Sequence, residues 1–175
     1  MGCGITGPDF AEFYRSSTDE CLRTVLGCLG DLDTAQDLVD EAFARACAGW
    51  WKVSRHPAPA AWVVRTALNV NISRWRRHRR EVAVPDFALV GDLHGGYGAS
   101  YSPVDPAIMA ALLRLPARQR QVVALRLFLD LDTGGTAQVL GVAPSTVKAH
   151  LARALAALPD DLAAPREQET PHDRR

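Results

Sequence analysis

The chain has 175 residues, 47% of them hydrophobic and 23% charged, with twenty basic and twenty acidic side chains and no net charge at pH 7. That balance excludes a largely disordered polypeptide, and the length suits one ordinary domain or two small ones. No apolar run approaches the roughly 18 residues of a membrane span, and MGCGITGPDF lacks the basic and apolar stretches of a secretory leader, so no membrane insertion and a cytoplasmic location are expected.

Strand signals are nearly absent, whereas helical periodicity runs through most of the chain and predicts an all-α protein. Phe10, Phe13, Tyr14, Leu22, Val25, Leu26 and Leu29 outline a first helix or helix pair, closed by Gly30. Asp31 or Asp33 can cap a second helix with the apolar stripe Ala35, Leu38, Val39, Ala42, Phe43, Ala46 and Trp50. Its other face carries Asp37, Asp40, Glu41 and Arg45. His56-Pro57-Ala58-Pro59 breaks the chain. A third helix then runs from about Ala60 to Arg79, amphipathic through Trp62, Val63, Thr66, Ala67 and Val70 and ending as SRWRRHRR.

Residues 81–106 lose the periodicity, hold four acids, no base, and several glycines and prolines, and are expected to form a flexible acidic linker without regular structure from about Val82 to Pro103. A second helical unit follows over 107–158: Ile108–Leu113, a helix from about Pro116 to Leu129, Thr133–Leu140 and Pro144–Leu158. The segment 159–175 is polar and is expected to be disordered. The predicted architecture is thus two small helical domains, 8–80 and 107–158, each with a thin core, joined by the flexible linker, with a helix-turn-helix in the second.

Cys3, Cys21, Cys28 and Cys47 form no CxxC pair and no metal-ligand spacing with histidine, so they read as reduced thiols packed as small apolar groups, with a redox or metal switch as the alternative, and no metal site is assigned. The neutral total hides a pattern: two basic segments, ending at Arg80 and Arg153, flank the acidic spacer. Two contacts with a polyanion would give that pattern, and so would solvated faces that average out.

Three segments carry the functional argument. In TAQVLGVAPSTVKAHLARAL, residues 136–155, Ala137 is small where two helices must cross, and Leu140, Val142, Val147 and Leu151 fall on the inward face. Gly141 permits the sharp turn. The pattern is a helix-turn-helix, whose second helix lies in the DNA major groove; a plain helical hairpin is the alternative. Ser145, Thr146, Lys148, His150 and Arg153 are the outward residues expected to meet phosphates and base edges. In SRWRRHRR, residues 73–80, the arginines spread around the helix with no acid within the run. Trp62 and Trp75 add the aromatic surface used to hold unpaired bases. A solvated basic face or a membrane-surface helix would look similar. In GDLDTAQDLVDEAFARACAGWW, residues 30–51, the acidic outer face would repel DNA, so it either meets a protein or is simply solvated.

These three segments, in this order, resemble the extracytoplasmic-function (ECF) sigma factors of the sigma-70 family. Residues 30–50 are similar to their polymerase-binding helix, AWVVRTALNVNISRWRRHRR to their promoter-melting and −10 helix, and LPARQRQVVALRLFLDLD with the helix-turn-helix to their −35-binding domain. The NxxISRWRR run is closest to the SigE-like subgroup. The resemblance implies that Asp37, Asp40, Glu41 and Arg45 meet the β′ clamp helices of core RNA polymerase. It implies that Trp62, Asn69, Arg74, Arg76, Arg77 and Arg80 open and read the −10 element, with a flipped base held near Val53–Pro59. Ser145, Thr146, Lys148, His150 and Arg153 would read the −35 element, and the acidic linker would thread the polymerase cleft. The implied partners are core polymerase, promoter DNA and, as a further candidate, an anti-sigma factor, with no cofactor and no catalysis. The pattern departs from the family at Gly134, Gly135 and Thr136, where helix propensity is poor and a hydroxyl approaches the core. A helix-turn-helix regulator that is not a polymerase subunit is the alternative; it would leave residues 30–80 without a use. An enzyme would need a motif such as HExxH, a phosphate loop or GxSxG, and the sequence has none.

Overall fold

The computed structural model describes residues 8–81 and 103–158, and among them it contains eight helices and no strand. Helix α1, Pro8–Leu29, is a single helix. It ends because Gly30 takes a left-handed turn at φ 87° and returns its N–H to the Leu26 carbonyl at 2.7 Å. Asp31 then caps α2, Leu32–Ala48, its carboxylate accepting from the Thr34 N–H at 2.9 Å. The stripe read from the sequence is the buried face of α2: Ala35, Leu38, Val39, Ala42, Phe43 and Ala46. A short helix α3, Trp50–Val53, leads to α4, Pro59–Glu81, which buries Ala61, Val63, Val64, Ala67, Leu68 and Val70.

Aromatic side chains close one end of this first unit. Phe13 stacks on Trp50 with ring centroids 5.0 Å apart, Phe10 meets Trp50 edge-on at 5.2 Å, and Tyr14 meets Phe43 edge-on at 4.9 Å.

The second unit is α5, Pro106–Arg114; α6, Ala117–Phe128; α7, Thr133–Leu140; and α8, Pro144–Ala157. Asp105 caps α5 by accepting from the Ala107 N–H at 2.7 Å, and Pro116 precedes α6 as its cap residue. Between α6 and α7, Asp130 adopts φ 47°, a conformation that aspartate tolerates better than bulkier side chains. The glycine pair in α7 does not prevent the helix. Asp132 accepts from the Gly135 N–H at 2.6 Å, and the fully buried Thr136 hydroxyl donates to the Asp132 carbonyl at 2.8 Å. A polar group in the core is tolerated when paired in this way.

Two observations bear on the expected domain layout. The flexible stretch from Val82 to Pro103 falls almost wholly outside the described residues, but both ends of the 81–106 linker are ordered: Glu81 belongs to α4, Val104 is buried, and Pro106 begins α5. The two units also do not keep separate thin cores. One buried cluster joins Val25, Leu26, Leu38, Phe43, Val63 and Val64 of the first unit to Met109, Ala124, Leu125 and Val139 of the second. Small units leave apolar faces that a partner can cover, and here α6 covers α1 while α7 packs on α4. A separate small cluster of Val122, Ala137 and Val147, flanked by Leu140, Val142 and Leu151, seats α8.

Candidate interaction surfaces

Three surfaces stand on this frame. The first is the outer face of α2. Asp37, Asp40 and Arg45 are exposed, and Glu41 is half-buried. Glu41 accepts from Arg45 one turn away at 2.5 Å and from Arg74 of α4 on its other oxygen. The arginine cluster therefore does have an acidic neighbour. It lies 33 residues away in sequence and beside it in space, because α2 and α4 pack together.

The second surface is the C-terminal half of α4. No described residue of α4 after Val70 is buried, and Asn69, Arg74, Arg76 and Arg77 are exposed. Arg74 is committed to Glu41, which leaves Arg76 and Arg77 as the cations with no acid against them among the described ion pairs. The side chain of Arg80 lies outside the described residues. Trp62 differs from its expected role as an open aromatic face. It is half-buried and packs against the shared core, since it stands between the buried Ala61 and Val63 at the edge of the inward stripe of α4. Trp51 is the aromatic whose exposure the sequence did not single out: it is 63% exposed on α3, with the Lys52 ammonium 4.8 Å from its ring centroid, next to the Ser54–Ala58 turn. The only sequence signal for it is the doubled tryptophan itself.

The third surface is α8. Gly141 takes φ 65°, and the Val142 N–H closes the turn on the Ala137 carbonyl at 3.1 Å. Pro144 opens α8, and Val147 is fully buried against α6 and α7. Ser145, Lys148 and Arg153 are exposed, and Thr146 is half-buried. His150 is not an outward residue as expected: it is half-buried, and its Nδ1 is enclosed with no hydrogen-bond partner among the described residues. Such a group costs free energy unless something arrives to pair it.

The thiols belong to none of these surfaces. Burial pushes Cys21 up, with Glu20 adding to the effect, and Sγ points at the Ala60 carbonyl 3.8 Å away. Burial likewise pushes Cys28 up to about 12, partly opposed by Arg120. Both are packed apolar groups rather than nucleophiles.

Comparison with known proteins decides the family. The family models Sigma-70 region 2 and Sigma-70, region 4 match residues 13–81 and 106–158. The chain belongs to the ECF sigma factors of the sigma-70 family. It is 34% identical to the RNA polymerase sigma-E factor of Streptomyces antibioticus over 159 residues, covering 88% of this chain and 84% of that protein. It is 32% identical to the sigma-E factor of Streptomyces coelicolor, covering 89% and 87%. Its fold is similar to that of the sigma factor RpoE from Bartonella quintana, solved in complex with the anti-sigma factor NepR, with a TM-score of 0.67, 22% identity and coverage of 91% and 100%. An ECF sigma factor serves transcription initiation, and sigma factors are in general regulatory subunits rather than enzymes. The all-α, two-region fold read from the sequence is the fold of this sigma factor. No helix among the described residues is long and apolar enough to cross a membrane.

Proposed function

We propose that this sigma factor docks on core RNA polymerase through the outer face of α2 and reads promoters through the other two surfaces. Asp37, Asp40, Glu41 and Arg45 meet the β′ clamp helices. Asn69, Arg76, Arg77 and Arg80, with the partly covered Trp62 and the Glu41-bound Arg74, open and read the −10 element. Ser145, Thr146, Lys148, His150 and Arg153 read the −35 element. Residues 8–80 act as the polymerase-binding and melting domain, 107–158 as the −35 domain, 81–106 as the connection threaded through the polymerase, and 159–175 as a tail. The protein works in the cytoplasm, catalyses nothing itself, and is a candidate target for an anti-sigma factor of the kind bound to its structural neighbour.

The observation that carries this reading is the segregation of charge within one unit. Asp37 and Asp40 are exposed on one helix, and Arg76 and Arg77 on another. A single polyanion cannot favour both, and this supports two partners of opposite preference. The test is charge reversal. Asp37→Lys with Asp40→Lys changes two exposed side chains, so the fold stays intact while affinity for core polymerase falls at least tenfold in a pull-down titration. Unchanged affinity, with unchanged circular dichroism, would refute the docking face. The regulator alternative is tested in the same series: strong duplex binding by the free chain, without polymerase, would favour it.

A further inference from the structure

Helical geometry places His150 at the rim of α8 rather than on its crest. At about 100° per residue, His150 sits roughly 60° from Val147 and roughly 40° from Ala154, the buried residues of α8. Thr146 and Arg153 lie on the other side of it, about 40° and about 60° farther from the core. The half-buried His150 therefore stands between the core and the flank that Thr146 and Arg153 share.

The two nitrogens of this ring meet different surroundings. Among the described residues, His150 Nδ1 is the one enclosed side-chain nitrogen or oxygen with no hydrogen-bond partner, while Nε2 is not enclosed. His56 shows the contrasting case. Its Nδ1 lies 3.1 Å from the Ala58 amide nitrogen and 2.9 Å from the Ala58 carbonyl, so it is served with or without a hydrogen. His150 has no such choice. In a neutral imidazole one nitrogen carries the hydrogen and the other a lone pair. Hydrogen on Nδ1 would seal a strong donor away from every acceptor, and orphaned N–H groups are rarer in folded proteins than acceptors left short of a partner. The hydrogen therefore belongs on Nε2, and the ring turns only a donor outward.

Such a donor is selective in the major groove. Guanine offers O6 and N7, adenine offers N7 beside an amino group, and thymine offers O4, whereas cytosine offers only the N4 amino group. An Nε2–H finds an acceptor on three of the bases and opposes a second donor on the fourth. Arg153, one turn along, also carries donors only. Guanine, with two acceptors and no donor on that edge, suits this flank best.

We propose that His150 is a specificity-determining residue of the −35 contact: a fixed Nε2–H donor that favours guanine and rejects cytosine at one base position. The idea deepens the −35 reading given above and rests on it.

The experiment has two arms. In the first, the full chain with isotope-labelled histidine is placed at about pH 8.5, two units above the ordinary histidine range. Long-range proton–nitrogen correlation spectra, with His150→Gln identifying the signal, should show the Nε2–H tautomer for His150. A predominant Nδ1–H tautomer overturns the proposal. In the second arm, the chain transcribes with core polymerase from promoters randomised across the −35 element. One position should disfavour cytosine by roughly fivefold or more with wild type. His150→Gln, whose amide adds an acceptor, should bring cytosine there to within about twofold of guanine, and preferences at the other positions should stay. His150→Ala, with circular dichroism confirming its fold, should lose the rejection of cytosine as well. Variants that keep the wild-type base profile, or that weaken all promoters equally as loss of a phosphate contact would, overturn the donor role and leave the −35 reading standing. Wild type with no preference anywhere in the randomised element overturns the −35 reading and this proposal with it.

Discussion

Leu125→Ala puts the shared core to a direct test. Leu125 lies on α6, is completely buried, and belongs to the cluster that also holds Val25, Leu38 and Val64. Truncating a fully buried leucine costs about 2–5 kcal/mol, the forfeited transfer energy plus the cavity left behind. With a urea m-value of about 2 kcal/mol per molar, the unfolding midpoint should fall by roughly 1–2.5 M. All four tryptophans, Trp50, Trp51, Trp62 and Trp75, lie in the first unit, while the substitution lies in the second. Tryptophan fluorescence therefore reports only on residues that a separate second unit could not influence. A common core requires the fluorescence midpoint to drop together with the helical circular dichroism signal, in one transition. A fluorescence midpoint unmoved by Leu125→Ala, with the dichroism splitting into two steps, would refute the shared core and return the molecule to two independent domains.

Neutralising Arg76 and Arg77 together should weaken promoter complexes across sequences and reduce the log–log salt slope by about 0.7–0.9 for each phosphate no longer neutralised; filter binding at several salt concentrations measures it, and an unchanged slope would remove these arginines from the backbone-binding set. Asp132→Ala should cost about 1 kcal/mol by removing the cap over Gly135, with Asp132→Asn restoring most of it in urea titrations. The buried thiols set an alkaline limit. Because Cys28 is pushed up to about 12 from an ordinary value near 9, the folded state keeps a proton that the unfolded state loses. Stability is fully present below pH 9 and falls by up to about 1.4 kcal/mol per pH unit between 9 and 12; Cys28→Ala should flatten that fall in pH-dependent melting.

Local signals were legible in the sequence because they depend on near neighbours. The α2 stripe, the Asp31 cap, the Gly141 turn and the Pro144 start of α8 each involve residues close together along one helix. What escaped were contacts between distant segments. Glu41 and Arg74 pair only because α2 and α4 pack, and nothing in the arginine run itself points to a residue 33 positions earlier. Gly27 inside a helix reads as a penalty of about 1 kcal/mol relative to alanine. Its purpose emerges only when Phe128 and Ala124 stand against it. His150 fell on the outward side of an idealised helical wheel, yet it is half-buried and its Nδ1 is enclosed. Chain periodicity describes the face of one helix, and the width of the neighbouring helices decides how much of that face is covered.

The Glu41–Arg74 pair bears on how the acidic face of α2 and the basic end of α4 are held in register. The two side chains are 31% and 50% exposed, and a half-exposed pair of this kind contributes little to stability, on the order of 0–1 kcal/mol. The relative placement of α2 and α4 is instead set by apolar packing, Leu38, Val39 and Ala42 on one side and Val63, Val64 and Ala67 on the other, all essentially inaccessible. A rigid seam of that kind fixes the spacing between the exposed acids Asp37 and Asp40 and the exposed cations Arg76 and Arg77 without help from the ion pair. The pair is therefore free to act electrostatically. Glu41 cancels the most N-terminal arginine of the run, which keeps positive charge concentrated toward the end of α4 and away from the exposed acids of α2. Two partners of opposite charge preference can then approach one small unit along different directions, with the uncharged seam between them carrying the mechanical load.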